Sequence, residues 1–337
     1  MAVDKKIQPE PSVGFTPAQE EAVGQMVNMQ VEEGLQPEVE MLEDGSAVVG
    51  EQEKIITTSF DMNLAEVLDD DELGNISSEL RQCYEDDKSS RQEWEETYKK
   101  GLDLLGFKYQ ERTMPFAGAS SVTHPMLSEA ITQFQAQAYK ELLPAGGPVN
   151  TQIIGALNPA KESQAQRVKD YMNYQIMHEM EEYDPDLDSL LFYLPLSGSA
   201  FKKVYYDAGL GRAVSKFVPS DDLYVPYLAT DLSSCERVTH TIRKSKNEVR
   251  KLQVAGFYRD VDLQVYDDET KLQEKENDIS GVKKTSYTKD DFQLLEMHVD
   301  LNIPGVDADD GIKVPYIVTI DEGSSKVLSI YRNYKEQ

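Results

Sequence analysis

The side chains able to do metal or nucleophile chemistry are few and scattered. The chain holds four histidines, His124, His178, His240 and His298, and two cysteines, Cys83 and Cys235. No two of them stand at the short spacings that zinc sites use. His240 and His298 fall in strand-like runs, where structural roles are expected. The acidic pairs Asp221-Asp222 and Asp309-Asp310 carry the right donors for Mg²⁺, but each sits among loop residues of a chain rich in acids. Glu181-Glu182 with Asp184, Asp186 and Asp188 is denser and reads as a helix start, where charge and helix dipole interact, more than as a metal site. Basic residues concentrate only at Lys202-Lys203 and in the group Arg243, Lys244, Lys246, Arg250 and Lys251, which opens a predicted helix. Two readings stand for that group: a contact for phosphate or an acidic partner, or a solvated face. No GxxxxGK[ST] loop, GxGxxG turn, HExxH or GxSxG elbow occurs. No catalytic residue, metal ligand or cofactor is therefore assigned.

The elements that must position these residues come in two runs. Leu80, Cys83, Tyr84, Trp94, Tyr98, Leu102 and Leu105 recur at three- and four-residue spacings, predicting helix from about Ile76 to a stop at Gly106, with Ser77 and Ser78 as N-cap candidates. MPFAGASSVTHPML reads as an irregular loop, and Pro125 opens a second helix that ends at LLPAGGPV. Within it Gln133–Leu143 carries two apolar stripes. A third helix is expected over Pro159–Glu182, capped by Asn158, with Val168, Tyr171, Met172, Gln175, Ile176 and Met180 on one stripe. A fourth covers Pro185–Leu196. After Gly198 the period changes: FKKVYYD and AVSKFVP form a hairpin, DDLYVPYLA and RVTHTIRKS follow, and Ser245 with Glu248 makes a capping box before a short helix stopped at Gly256. Residues 259–290 read as an exposed polar loop; FQLLEMHVDL, VPYIVTID and VLSIYRNY are strands. Helices followed by strands predict an α+β fold.

Charge supplies the domain boundary. There are 34 Lys and Arg against 61 Asp and Glu, a formal charge of −27. Residues 1–75 hold three bases and eighteen acids, more than half of that excess in under a quarter of the chain. Such a segment buries too little apolar surface to offset chain entropy, so 1–75 is expected to be a disordered acidic arm, with a short element near Leu64–Leu68. Residues 76–200 are expected to be mainly helical and 201–337 β-rich. No apolar run reaches the roughly 18 to 20 residues of a membrane span, and the N-terminus lacks a signal-peptide core. The expectation is an intracellular, soluble protein. DNA gripping needs many Lys and Arg on phosphates, which this chain does not concentrate. An acidic wall instead lets a polyanion pass without adhering.

The stretch MPFAGASSVTHPMLSEAITQFQAQAYKELLPAGGPVNTQIIG strongly resembles the N-terminal block of tailed-bacteriophage portal proteins of the short-tailed type. DPDLDSLLFYLPLSGSAFKKVYYD resembles the block that follows, and FVPSDDLYVPYLATDLSSCERVTHTIRKSKNEVRKL a third, in the same order. The resemblance runs from about residue 80 to the C-terminus and excludes the acidic arm. It implies a subunit of a ring, a dodecamer in that family, at one capsid vertex, through which double-stranded DNA is packaged and ejected. It further implies a wing-like α+β region, partners among the terminase large subunit, capsid and tail adaptor proteins, no membrane, and a place in the virion and, during assembly, the host cytoplasm. IYRNYKEQ resembles an interior stretch of such proteins, so a continuation bearing stem and clip is expected. Two other classes remain open on the residues: a metal-dependent phosphodiesterase using Asp221, Asp222 or the 181–188 carboxylates, and another head-completion or scaffold-binding protein acting through the acidic arm.

Overall fold

The computed structural model describes residues 59–105, 116, 124–207, 209–265, 291–307 and 311–335, together with two short strands near the N-terminus. Those strands, β1 (Val39–Met41) and β2 (Ala47–Val49), pair antiparallel, Val39 opposite Val49, in a unit of their own. The other residues up to 58, most of the loop from Met114, the Gly106 stop, residues 266–290 of the polar loop and Asp309-Asp310 lie outside the described residues.

The boundary expected at residue 76 is corrected: Leu64, Ala65, Leu68 and Leu73, assigned to the arm by charge, belong to the core, and the division by contacts falls between Ile55 and Ile56. A 3₁₀ turn over Leu64–Glu66 buries Leu64 and Ala65 completely, and Leu68 and Leu73 follow them in. Helix α1 (Asp70–Ser90) starts six residues before the predicted Ile76. Asp70, Asp71 and Glu72 fill its first turn, and Glu72 accepts from the Asp69 N–H at 3.3 Å. Ser77 is no cap: it is buried in mid-helix, and its hydroxyl donates to the Ser325 carbonyl at 2.5 Å. Acidity misled the charge count here, since the same acids that mark an arm also suit a helix start.

Five strands form an antiparallel sheet in simple sequence order, β5 (Leu223–Tyr224), β6 (Arg237–Ser245), β7 (Asp291–Leu301), β8 (Val314–Asp321) and β9 (Val327–Arg332). Period-two alternation puts Leu295, Met297, Tyr316, Val318, Ile320 and Ile330 in one core with Leu80 and Tyr84 of α1. On the other face a short helix, Lys246–Val254, sets Val249 against Phe292, Leu294 and Leu328. Its start is the predicted capping box: the Glu248 N–H donates to Ser245 Oγ at 3.3 Å, and Glu248 accepts from the Ser245 N–H at 2.9 Å. Asp87, buried on α1, takes two 2.8 Å bonds from Arg237 of β6 and ties the helix to the sheet.

Helix α1 gives way to α2 (Gln92–Leu105), and Arg91 stands at the break. Its guanidinium donates to the carbonyls of Ser220 (3.0 Å), Leu223 (3.1 Å) and Asp221 (2.7 Å), and lies 3.6 Å from the Tyr224 ring centroid. A lysine has one ammonium and cannot reproduce that planar fork. Arg91→Lys is therefore expected to cost about 2 kcal/mol in urea unfolding.

The remaining helices form a second layer. Helix α3 (Met126–Leu142) ends at Leu143-Pro144 as predicted, and α5 (Tyr183–Ser197) packs between it and the hairpin β3 (Phe201–Asp207) and β4 (Arg212–Val218). Between α3 and α5, the helix predicted over 159–182 is shorter: α4 spans Pro159–Tyr174, continues as a π turn over Gln175–Glu179, and stops at Met180. Among the described residues no helix is long and apolar enough to cross a membrane. The class is α+β, with helices and antiparallel sheets.

Candidate assembly surface

The residues with most chemical promise in the sequence are occupied in holding the fold. Glu182 accepts two bonds from Arg212 at 2.8 and 2.9 Å, and that partner brings its carboxyl down to about 2 against the opposing effect of burial. Asp186 accepts from the Phe217 N–H at 2.8 Å, Asp184 from the Tyr139 hydroxyl at 2.5 Å, and Asp188 from the Gln135 amide at 2.7 Å. These acids pin α5 to the hairpin and to α3. Asp222 is raised to about 7 by burial and by neighbouring Asp221, with Arg243 and Arg91 opposing. Among the described residues no group of three His, Cys, Asp or Glu side chains is placed to hold a metal.

The five basic residues divide between surfaces. Arg243 lies near the Asp221 and Asp222 carboxyls and favours their charged forms, while Lys244, next along β6 and so on the opposite sheet face, and Lys251 do the same for Glu248. Lys246 and Arg250 flank an open groove of about 490 Å³ whose walls also carry Asp260 and Asp262. Arg250 pairs with Asp260 at 2.5 Å. Two acids offset two bases in its lining, so it offers an anion little net attraction.

The fold also gathers a charge cluster that no local spacing announces. Glu296 stands directly opposite His240 in the β6–β7 register, pairs with Lys203 of the hairpin, and lies 3.2 Å from His298 Nε2. Burial pushes the Glu296 carboxyl up, but His298 and Lys203 outweigh it and hold it at about 2. Burial and then the Lys203 charge push His240 down to about 4 from 6.5, with His298 adding to the shift and Glu296 resisting it. Tyr258, beside Glu296, is the further titratable group there. The unfolded imidazole takes a proton below about 6.5 and the folded one only near 4. Stability present above 6.5 is therefore lost as the pH falls through that window. Urea unfolding at pH 7 and 4.5 is expected to show wild type losing about 2 kcal/mol more than His240→Gln, after allowance for solvent screening.

The surface left without an occupation is apolar. Helix α4 has sixteen residues and buries none. The side it turns to its own chain is small and polar: Ala165, Lys169 and Asn173 are half-buried. Asn173 grips the backbone of Val149, accepting from its N–H at 2.9 Å and donating to its carbonyl at 3.1 Å, and the Thr151 hydroxyl donates to the Ala165 carbonyl at 3.2 Å. The apolar stripe picked out in the sequence lies about 100° round the helix. Its Val168, Tyr171 and Met172 are exposed, Tyr171 at 59%, whereas its other members Gln175, Ile176 and Met180, in and just after the π turn, are half-buried. Nearby in sequence, Ile154 is 93% exposed and Leu157 72%. On α3 only Ile131 is buried, and Phe134 and Leu142 of its second stripe stay exposed. The sequence signal for this surface is a lack of charge: Leu142–Ala160 is the longest run in the chain without Asp, Glu, Lys or Arg, nineteen residues. No protein-family model and no curated protein matches the chain.

Proposed function

We propose that this chain is a structural subunit of a homo-oligomeric ring of the tailed-bacteriophage portal type, a passive channel for double-stranded DNA at the capsid vertex. One observation carries the reading: α4 holds its own chain with a polar stripe and leaves its apolar stripe uncovered, which reverses the arrangement of a helix that serves a monomer. The resemblance supports it, since its first block covers α3 and the charge-free run as far as Gly155. In this reading the sheet and hairpin make the wing-like region, and terminase, capsid and tail adaptor proteins dock on the ring. DNA passes an acidic surface without sequence-specific contact, in the virion and, during assembly, in the host cytoplasm. The chain needs no catalytic group of its own, because the motor partner would hydrolyse ATP.

Mass photometry and negative-stain electron microscopy of the purified chain test this. Closed rings are the expected result, and a monomer at every concentration overturns it. Incubation of DNA with the protein and Mg²⁺ or Mn²⁺ separates the phosphodiesterase alternative. No cleavage is expected; cleavage abolished by Asp221→Ala would favour the enzyme.

A further inference from the structure

The charge-free run has a specific use in an assembly. Copies that each carry −27 repel one another, so their contact must be made where charge is lowest. Leu142–Ala160 is that place, and it puts Ile154 and Leu157 on the surface of a strap that turns at Gly155, where φ is 95°. The base of the strap is held by Asn173 and the Ala165 carbonyl, so its two apolar side chains are presented from an anchored backbone, with little ordering left to be done on binding. That same anchorage keeps the strap on the polar sector of α4, and its own apolar stripe stays open. Strap and stripe are therefore two different apolar surfaces on one chain, each left uncovered among the described residues.

We propose that Ile154 and Leu157 of one copy seat on Val168, Tyr171 and Met172 of the next, head to tail. The inference rests on the self-assembly reading above and names the contact within it. Two unlike surfaces that pair between successive copies generate a ring when the rotation closes.

Disulfide trapping tests the contact. The double variant Ile154→Cys/Tyr171→Cys, assembled and treated with diamide, is expected to give a ladder of covalent species beyond the dimer on a non-reducing gel. Wild type, with its two native cysteines, sets the background, and each single variant is expected to match it. A ladder that stops at the dimer would mean a two-fold exchange and overturns the head-to-tail contact. So does cross-linking by Ile154→Cys alone, which places strap against strap. Rings seen by mass photometry without any cross-link overturn this contact and leave the assembly reading standing. If the double variant does not assemble while wild type does, Leu157→Cys/Val168→Cys repeats the test one position along. If wild type itself is monomeric, the assembly reading fails first.

Discussion

Replacing Val168, Tyr171 and Met172 together by Glu is expected to weaken self-association at least about 100-fold and to leave each chain folded. The three side chains are about half exposed, so burying what remains of each is worth about 1 kcal/mol, and three of them supply about 3 kcal/mol, or two decades in a binding constant. Carboxylates placed at the same positions add the cost of burying charge, on a chain whose copies already repel. The folded chain loses little, because the three side chains are exposed in it and glutamate is a good helix former. Sedimentation velocity across protein concentration reads the first effect, and urea unfolding of the dissociated chain, unchanged within about 0.5 kcal/mol, reads the second. Full assembly by the triple variant would remove α4 from the interface. A loss of stability of several kcal/mol would show that the stripe is covered within the chain.

Asn63→Ala is expected to cost about 3 kcal/mol, more than its size suggests. Asn63 is 3% exposed, and its side-chain amide acts as a peptide group beside the edge strand β9. Oδ1 accepts from the Ile330 N–H at 3.0 Å and Nδ2 donates to the Leu328 carbonyl at 3.1 Å, bonding the two residues either side of Ser329 as a parallel partner strand would. Oδ1 also takes the Ala65 N–H at 3.1 Å and so caps the 3₁₀ turn. Alanine leaves the Ile330 N–H buried and unpaired, worth about 1–3 kcal/mol, and removes the cap, worth about 1 more. The Leu328 carbonyl keeps its bond from the Arg259 N–H at 2.8 Å and adds less. Urea unfolding measures the loss. The same amide closes an edge that would otherwise be open to pairing with another chain, so Asn63→Ala is also expected to aggregate faster near its unfolding midpoint. A change below about 0.5 kcal/mol would return residues 59–68 to the arm.

Local chemistry settled in advance whatever depends only on near neighbours in the chain. Pro125 and Leu143-Pro144 bracket α3, Asn158 caps α4 through the Ala160 N–H at 3.1 Å, and Ser245 with Glu248 starts the last helix, as their spacings predict. The apolar runs rich in Val, Ile, Leu and Tyr became β7 to β9, whose successive side chains point alternately to the two faces of the sheet, each of which carries a core. The amphipathic stripe of α4 was legible in the same way, but not its direction: a period of 3.6 identifies an apolar face and says nothing of whether the same chain or another covers it. The acidic start of α1 misread as arm shows the same limit. Asp69–Glu72 carries the charge of a tail, and only the sheet packed against Leu64, Leu68 and Leu73 makes it the beginning of a core. Lys203, His240, Glu296 and His298 meet only after the hairpin folds onto the sheet and the β6–β7 register forms. Glu296 and His298, two apart on β7, share a face by the strand period. Lys203 and His240 lie far from them along the chain, and a contact closed over such loops leaves no periodicity to read.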